Sequence, residues 1–332
     1  MTVSRRRLLA LLAGCAGVCA TWPAAFAAPS AEQVLTDMHL SAADRRRVVG
    51  GEFVTAEVPP VSERDLSFAI AFLVKSSPAV LDDRVMSGDL VSADAQVQAW
   101  AELKGVGSLA DFSRLEITSD EARALSTARP EGTFNLSAGE VAALSGAGGS
   151  VQAVLQELRT LLLRRYQAYR TAGLSGIAPY QRGGGRVTDH ATDLRRASEA
   201  TPGLKTYLPA LQNVLLGYPT ATVAQMREAF FWDKSLIEGK ATYVLTHLIS
   251  VPDGAAYALV KRQFYASTSY NGEQAVAGFL PVPEGTVVVL ATHAFTDQVT
   301  GVGGSMKRTI GSSVMARKMR EIFEAGRKRV GS

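Results

Sequence analysis

The amino-acid sequence predicts an α+β fold: an antiparallel β-sheet gripped by a long C-terminal helix, with a large, mostly helical insertion over about 79–239. Three observations predict it. From Leu66 to Val74 every even position is large and apolar while the odd positions stay small until Leu73, the alternation of a half-buried strand. Further on, Tyr243 to Val251, Tyr257 to Tyr270, Ala275 to Leu280 and Thr286 to Thr296 read as strands. They are separated by Pro252-Asp253-Gly254, Asn271-Gly272 and Pro283-Glu284-Gly285, turn sequences that specify a meander. Last, Met306, Ile310, Val314 and Met315 begin an apolar helical stripe that Met319, Ile322 and Phe323 continue.

The remaining elements follow in chain order. Ser30 with Gln33, and then Ser41, mark the starts of two short helices. Gly50-Gly51 opens a strand over Glu52 to Val58, closed by Pro59-Pro60. Ser77-Pro78 ends the alternating strand and places a proline where a first helical turn tolerates it. Inside the insertion, Ser137 with Glu140 and Thr222 with Gln225 have capping-box spacing. The longest helical stripe is Val151, Val154, Leu155, Leu158, Leu161, Leu162 and Tyr166; Arg159, Arg164, Arg165 and Arg170 fall mostly off it and are expected in solvent. Gly183-Gly184-Gly185 lacks the strand and the Gly-Lys-Ser/Thr of a phosphate loop, so it reads as a linker.

The N-terminus predicts export. Arg5-Arg6-Arg7, the apolar run Leu8 to Ala13, and Ala25-Phe26-Ala27 are the three parts of a signal peptide, residues 1–27, leaving 28–330 as one α+β domain in the periplasm. Ser4 to Leu9 fits both the twin-arginine pattern and an ordinary Arg-rich leader. Leu12-Ala13-Gly14-Cys15 offers the alternative of a membrane-anchored lipoprotein acylated on Cys15, although no polar tether follows it. Cys15 and Cys19 both lie in the leader, so the processed chain has no disulfide and no thiolate chemistry. The leader also holds three of the 35 basic residues and none of the 31 acidic ones, which leaves 32 against 31. The basic excess is confined to the end, where Lys307 to Arg329 carries eight Lys/Arg with Phe323 as its one aromatic. That is a solvated helix face and gives no sign of nucleic-acid binding. No second run is long enough for a transmembrane helix in the processed chain.

Few residues carry chemistry. The four histidines His39, His190, His247 and His293 are scattered and form no metal motif, so no metal and no cofactor is expected. Neither a Gly-x-Ser-x-Gly elbow nor Ser-x-x-Lys occurs. Gly301 to Ser305 reads as an ordinary glycine-rich start to the last helix. His247 is in phase with Tyr243, Leu245, Ile249 and Val251, and His293 with Val287, Val289 and Phe295, so each shares a strand face with bulky apolar side chains. Such a face covers a core or a ligand cavity. Arg262, in phase with Val260 and Phe264, is a candidate ion-pair partner or anion-binding group; Asp297 could cap the following turn or pair with Arg262.

Gly51-Glu52-Phe53-Val54, Ser77-Pro78, Thr246-His247, Tyr265-Ala266-Ser267, Thr296-Asp297, Gly304 and Lys307-Arg308-x-Ile310, in that order, resemble an uncharacterised family of exported bacterial proteins. Members of that family often carry a cysteine pair where this chain has Ala128 and Thr133, so that disulfide would be missing here. Val74 to Val80 and Thr242 to Arg329 are distantly similar to START-type helix-grip folds, a resemblance that implies a cavity between sheet and helix for an apolar, lipid-like ligand. His247, Arg262, Tyr265, His293 and Asp297 are then the candidate ligand-binding residues, with no catalytic residue assigned. The alternatives are a hydrolase that uses a strand histidine as acid/base, and a structural protein of the cell envelope.

Overall fold

The computed structural model describes residues 28–301 and 303–330; the expected leader, with both cysteines, lies outside the described residues. The strands are β1 Val54–Ala56, β2 Asp65–Val74, β3 Val97–Leu103, β4 Tyr180–Gln181, β5 Val187–Thr188, β6 Arg227–Ile237, β7 Lys240–Asp253, β8 Ala256–Ala266, β9 Gly272–Val282 and β10 Gly285–Phe295. Eight of them form one antiparallel sheet in the order β1-β2-β10-β9-β8-β7-β6-β3, while β4 and β5 make a separate hairpin. The helices are α1 Ala31–Asp37, α2 Ala42–Val49, α3 Pro78–Met86, α4 Asp89–Ala93, α5 Ser119–Ser126, α6 Ala138–Gly146, α7 Val151–Ala172, α8 His190–Ala200, α9 Leu204–Tyr207, α10 Pro209–Gly217 and α11 Gly304–Val330. The α+β architecture, with its large antiparallel sheet and C-terminal helix, matches the sequence pattern.

Local signals explain most helix starts. Ser30, Ser41 and Ser77 accept backbone N–H bonds at the first turns of α1, α2 and α3, Pro78 stands at the first turn of α3, and Ser137 with Glu140 forms a reciprocal capping box on α6. Both faces of the sheet are covered. On one, α3 and α11 pack over Phe68, Ile70, Phe72, Phe231 and Val288. On the other, α5 to α7 pack over β6 to β8, α9 and α10 over the sheet centre, and α1 and α2 over β2, β9 and β10. β2 is therefore buried on both faces, more than simple alternation implies.

Five sequence readings are corrected. The insertion is interrupted by β3 and β6. In β6 the run Ala229 to Trp232 is apolar without alternation, because Phe230 and Trp232 feed one core and Phe231 the other; a strand covered on both sides loses its period of two. Thr222 with Gln225 starts no helix: Gln225 has φ +59°, and the chain runs on into β6. Arg165 is buried, since it occupies the stripe of Leu158, Leu161 and Leu162; Glu140 meets it at 2.6 and 2.7 Å and its guanidinium lies 4.2 Å from the Tyr265 ring centre. Gly183 to Gly185 forms the turn of the β4–β5 hairpin, all three with positive φ. On α11, Met315, Ala316, Met319 and Phe323 face the sheet, while Met306, Ile310 and Val314 remain exposed, on a line rotated away from the contact at Gly311 and Leu66.

Candidate functional site

Strand register assembles a polar row that no single segment displays. Ser67 pairs with His293, His293 with Gln274, Gln274 with Arg262, Arg262 with His247, and His247 with Phe230, on β2, β10, β9, β8, β7 and β6 in turn. Directly paired residues share a face. The row therefore lies on the face covered by α7, α8 and α10, opposite α11. His293, Gln274, Arg262 and His247 are all 0% exposed.

Arg262 is a buried cation with four neutral acceptors. Its Nε donates to Gln274 Oε1 at 2.9 Å, Nη1 to the Tyr169 hydroxyl at 3.3 Å, and Nη2 to Ser198 Oγ at 3.0 Å and to the Leu215 carbonyl at 2.9 Å. Tyr169 comes from α7, Ser198 from α8 and Leu215 from α10, so the guanidinium ties three helices to the sheet. Of the two roles open to Asp297 from sequence, pairing with Arg262 does not form. Asp297, at the rim, accepts from Arg182 Nε at 2.7 Å and from Thr188 Oγ1 at 3.1 Å.

His247 lies between Phe230, stacked at 4.1 Å, and Tyr218 at 4.7 Å. Burial pushes its pKa down to about 4, so the ring is neutral at pH 7. Arg262 occupies the Tyr169 oxygen as a donor, so the Tyr169 O–H is directed at His247 Nδ1, 3.1 Å away. The ring proton is thereby assigned to Nε2, which faces Glu228 Oε2 at 3.4 Å. The His247 ring against it holds the Glu228 carboxyl below the usual carboxylate range, with help from Arg170 and Tyr218. Nδ1 of His247 is thus committed inside the protein, while Nε2, 3.4 Å from Glu228 Oε2, is buried without a hydrogen-bond partner.

His293 differs. Its Nδ1 meets Asp65 Oδ2 at 2.8 Å, and the Val61 N–H donates to the same oxygen at 2.8 Å. A carboxylate accepts, so Nδ1 carries a proton. Both His293 Nε2 and Asp65 Oδ1 are buried without a hydrogen-bond partner. Tyr265, the fifth candidate, lies away from the row on β8, its ring under Arg165 and its hydroxyl unpartnered. The structure thus joins His247 to Arg262, places His293 in the same row, and separates Tyr265 and Asp297 from it.

Beside the polar row the same sheet face is lined by small residues. Ala69, Ala291 and Val276 pair across β2, β10 and β9; one step further along the strands, Ala71, Val289, Gly278 and Ala258 do the same. Gly278, Val289 and Ala291 are only half-buried, because the α1–α2 pair and the α8–α9 segment leave this strip between them. A hydrogen bond from the Tyr207 hydroxyl to Asp37 joins α9 to α1 beside it. The groove has a volume of about 1990 Å³ and continues around the β1 edge to the polar flank of α11 at Ser305, Arg308 and Ser312. That exceeds the roughly 300–1,000 Å³ of a compact ligand pocket. It is an open channel, and Ser67 and Asp65 line it where the small floor gives way to the polar row.

Asp65, Tyr169 and Glu228 were not singled out from sequence. Asp65 had a usable signal, being in phase with Ser67, Ala69 and Ala71 on the small face of β2. Among the described residues no helix is long and apolar enough to cross a membrane. Comparison of the chain with protein-family models, with curated proteins and with solved structures gives no match in any of the three.

Proposed function

We propose that the protein is an exported periplasmic binding protein that holds an extended apolar, lipid-like ligand without transforming it. One observation carries this reading: within a floor of small apolar residues on four adjacent strands, Gly278, Val289 and Ala291 on β9 and β10 are left half-buried between the α1–α2 pair and the α8–α9 segment. Apolar surface in a concave strip gains free energy when an apolar chain covers it, at roughly 25 cal/mol per Å². The resemblance to START-type folds supports the same ligand class. Binding of a fluorescent alkyl probe to the purified protein tests it. Ala291→Trp and Val289→Trp fill the floor and should each weaken the probe by at least about tenfold with the melting transition retained. Unchanged affinity in both would refute the reading. N-terminal sequencing of exported protein should begin at Ala28, and an acylated Cys15 would overturn that location.

A second reading, acid/base hydrolysis, is favoured by one observation only. Asp65 meets His293 Nδ1 and leaves Nε2 without a partner, the relation between an orienting carboxylate and a general base. Turnover of an ester probe that His293→Phe lowers by about 100-fold or more, with probe binding intact, would favour it over simple binding.

A further inference from the structure

Three large apolar side chains stand in a row on the outside of α11. Met306, Ile310 and Val314 are 71%, 59% and 47% exposed. Their four-residue spacing carries the row about 12 Å along one side of the helix. The helix is not free to turn and bury them. On its inner side Gly311 lies so close to Leu66 that a Cβ would come within 2.9 Å of that side chain, and Met315, Ala316, Met319 and Phe323 already fill the sheet-facing side. A single exposed apolar residue needs no explanation, but a contiguous row marks a surface that something covers. The charge around the row has one sign. From Gly304 to Lys318 the helix carries Lys307, Arg308, Arg317 and Lys318 and no acidic residue, while in the rest of the processed chain acidic residues outnumber basic ones. Arg308 is tied down, donating to the Glu63 carbonyl. Among the described residues the ion pair on α11 joins Arg320 to Glu324, so the charges of Lys307, Arg317 and Lys318 are left unpaired.

We infer that this side of α11 docks on an anionic phospholipid surface, with Met306, Ile310 and Val314 entering the headgroup boundary and Lys307, Arg317 and Lys318 meeting lipid phosphates. A convex helix side that combines an apolar row with flanking cations suits a helix lying in the plane of a membrane interface, where burial of the row and attraction to anionic lipid act together. Two other occupants fit less well. A second copy of the chain would bring the same four cations against four, and a nucleic acid would take the cations but leave the row in water. Docking does not depend on the groove, but it would bring the end of the groove at Ser305, Arg308 and Ser312 to the bilayer.

The test is flotation of the exported protein with vesicles of phosphatidylcholine alone and of phosphatidylcholine mixed equally with phosphatidylglycerol. In about 0.1 M salt the anionic vesicles should bind at least about tenfold more tightly, and about 0.5 M salt should remove that preference. Met306→Ser, Ile310→Ser and Val314→Ser together should weaken binding to anionic vesicles at least about tenfold with the melting transition retained. Lys307→Glu, Arg317→Glu and Lys318→Glu together should do the same. Val106→Ser removes an apolar side chain that is 80% exposed on a loop away from α11, and should change nothing. The emission of Ile310→Trp should shift to the blue when anionic vesicles are added. No binding to either vesicle, equal binding to both, full binding by the triple serine variant, or an unshifted Ile310→Trp emission overturns the proposal. A wild-type dimer that the serine variant converts to monomer assigns the row to a second copy instead. Should both triple variants fail to fold, the salt dependence and the Ile310→Trp emission still decide.

Discussion

Arg262 and His247 stand opposite one another on adjacent strands and share a single hydroxyl, that of Tyr169. The arginine donates to it and the neutral histidine accepts from it, so one oxygen serves a buried cation and a buried base. Tyr169→Phe keeps the ring, which stacks on Phe264 at 4.1 Å, and removes only the hydroxyl. His247 Nδ1 and Arg262 Nη1 then each lose a partner in the interior. The variant should be destabilised by about 1–3 kcal/mol or more, the cost of stranding buried polar groups. Urea denaturation checks this, and a loss below 0.5 kcal/mol, the range of surface changes, would show that the network contributes little.

Acid should weaken the fold through its buried histidines. Burial holds both His190 and His247 at about 4, against 6.5 for the free side chain. Between those values the unfolded chain takes up a proton that the folded chain refuses, so stability falls as pH drops from about 6.5 to 4 and is not lost further below that. A gap of this size corresponds to roughly 3 kcal/mol for each histidine. His247→Leu deletes one of the two titrations. Its stability should therefore depend less on pH than that of wild type across this window, whatever its stability at neutral pH. Parallel pH profiles for the two proteins would contradict the assignment.

Asp233 acts with the opposite sign in nearly the same window. Burial on β6 raises its pKa to about 6, against the stabilising hydrogen bond from Ser235. The folded state favours the protonated acid, so ionisation above about pH 6 costs stability, and the cost disappears as pH falls toward the unfolded value near 3.8. Asp233→Asn removes the charge but retains an acceptor for Ser235. It should be more stable than wild type at about pH 8, by up to roughly 3 kcal/mol, and the advantage should vanish near pH 4. Denaturation curves at the two pH values decide, and an advantage independent of pH would mean that packing rather than ionisation is responsible.

Much of the scaffold was legible because its signals are local. The turns at Asn271-Gly272 and Pro283-Glu284-Gly285 separate β8, β9 and β10, and the serines at 30, 41 and 77 each cap a helix. The strand phase of His247 and His293 was legible too, although their partners were not. Asp65 and His293 are 228 residues apart, and only the β2–β10 register brings them together. Arg165 shows the same limit from another side. Its spacing puts it on the stripe of Leu158, Leu161 and Leu162, but the partners that let a guanidinium be buried there, Glu140 and Tyr265, come from α6 and β8 and are not visible in the α7 sequence. Likewise β6 is hidden because helices cover both its faces, and covering both faces erases the alternation that would announce it.

The large even face of β2 provides the last prediction. Phe72 is 1% exposed, stacks on Phe53 at 4.5 Å and meets Phe323 of α11 at 4.9 Å. Truncating it removes the bulk that Phe53, before β1, and Phe323 of α11 both rest on, in a core shared with Leu81 and Met86 of α3. Phe72→Ala should therefore cost about 3–5 kcal/mol. A double-mutant cycle with Phe53→Ala should return a coupling of about 0.5–1.5 kcal/mol, as expected for a stacked pair. Because Phe72 points away from the small-residue groove on the opposite face of the strand, the same variant should bind the alkyl probe as wild type does wherever it remains folded. Loss of binding in folded Phe72→Ala protein would place the ligand on the α11 face instead.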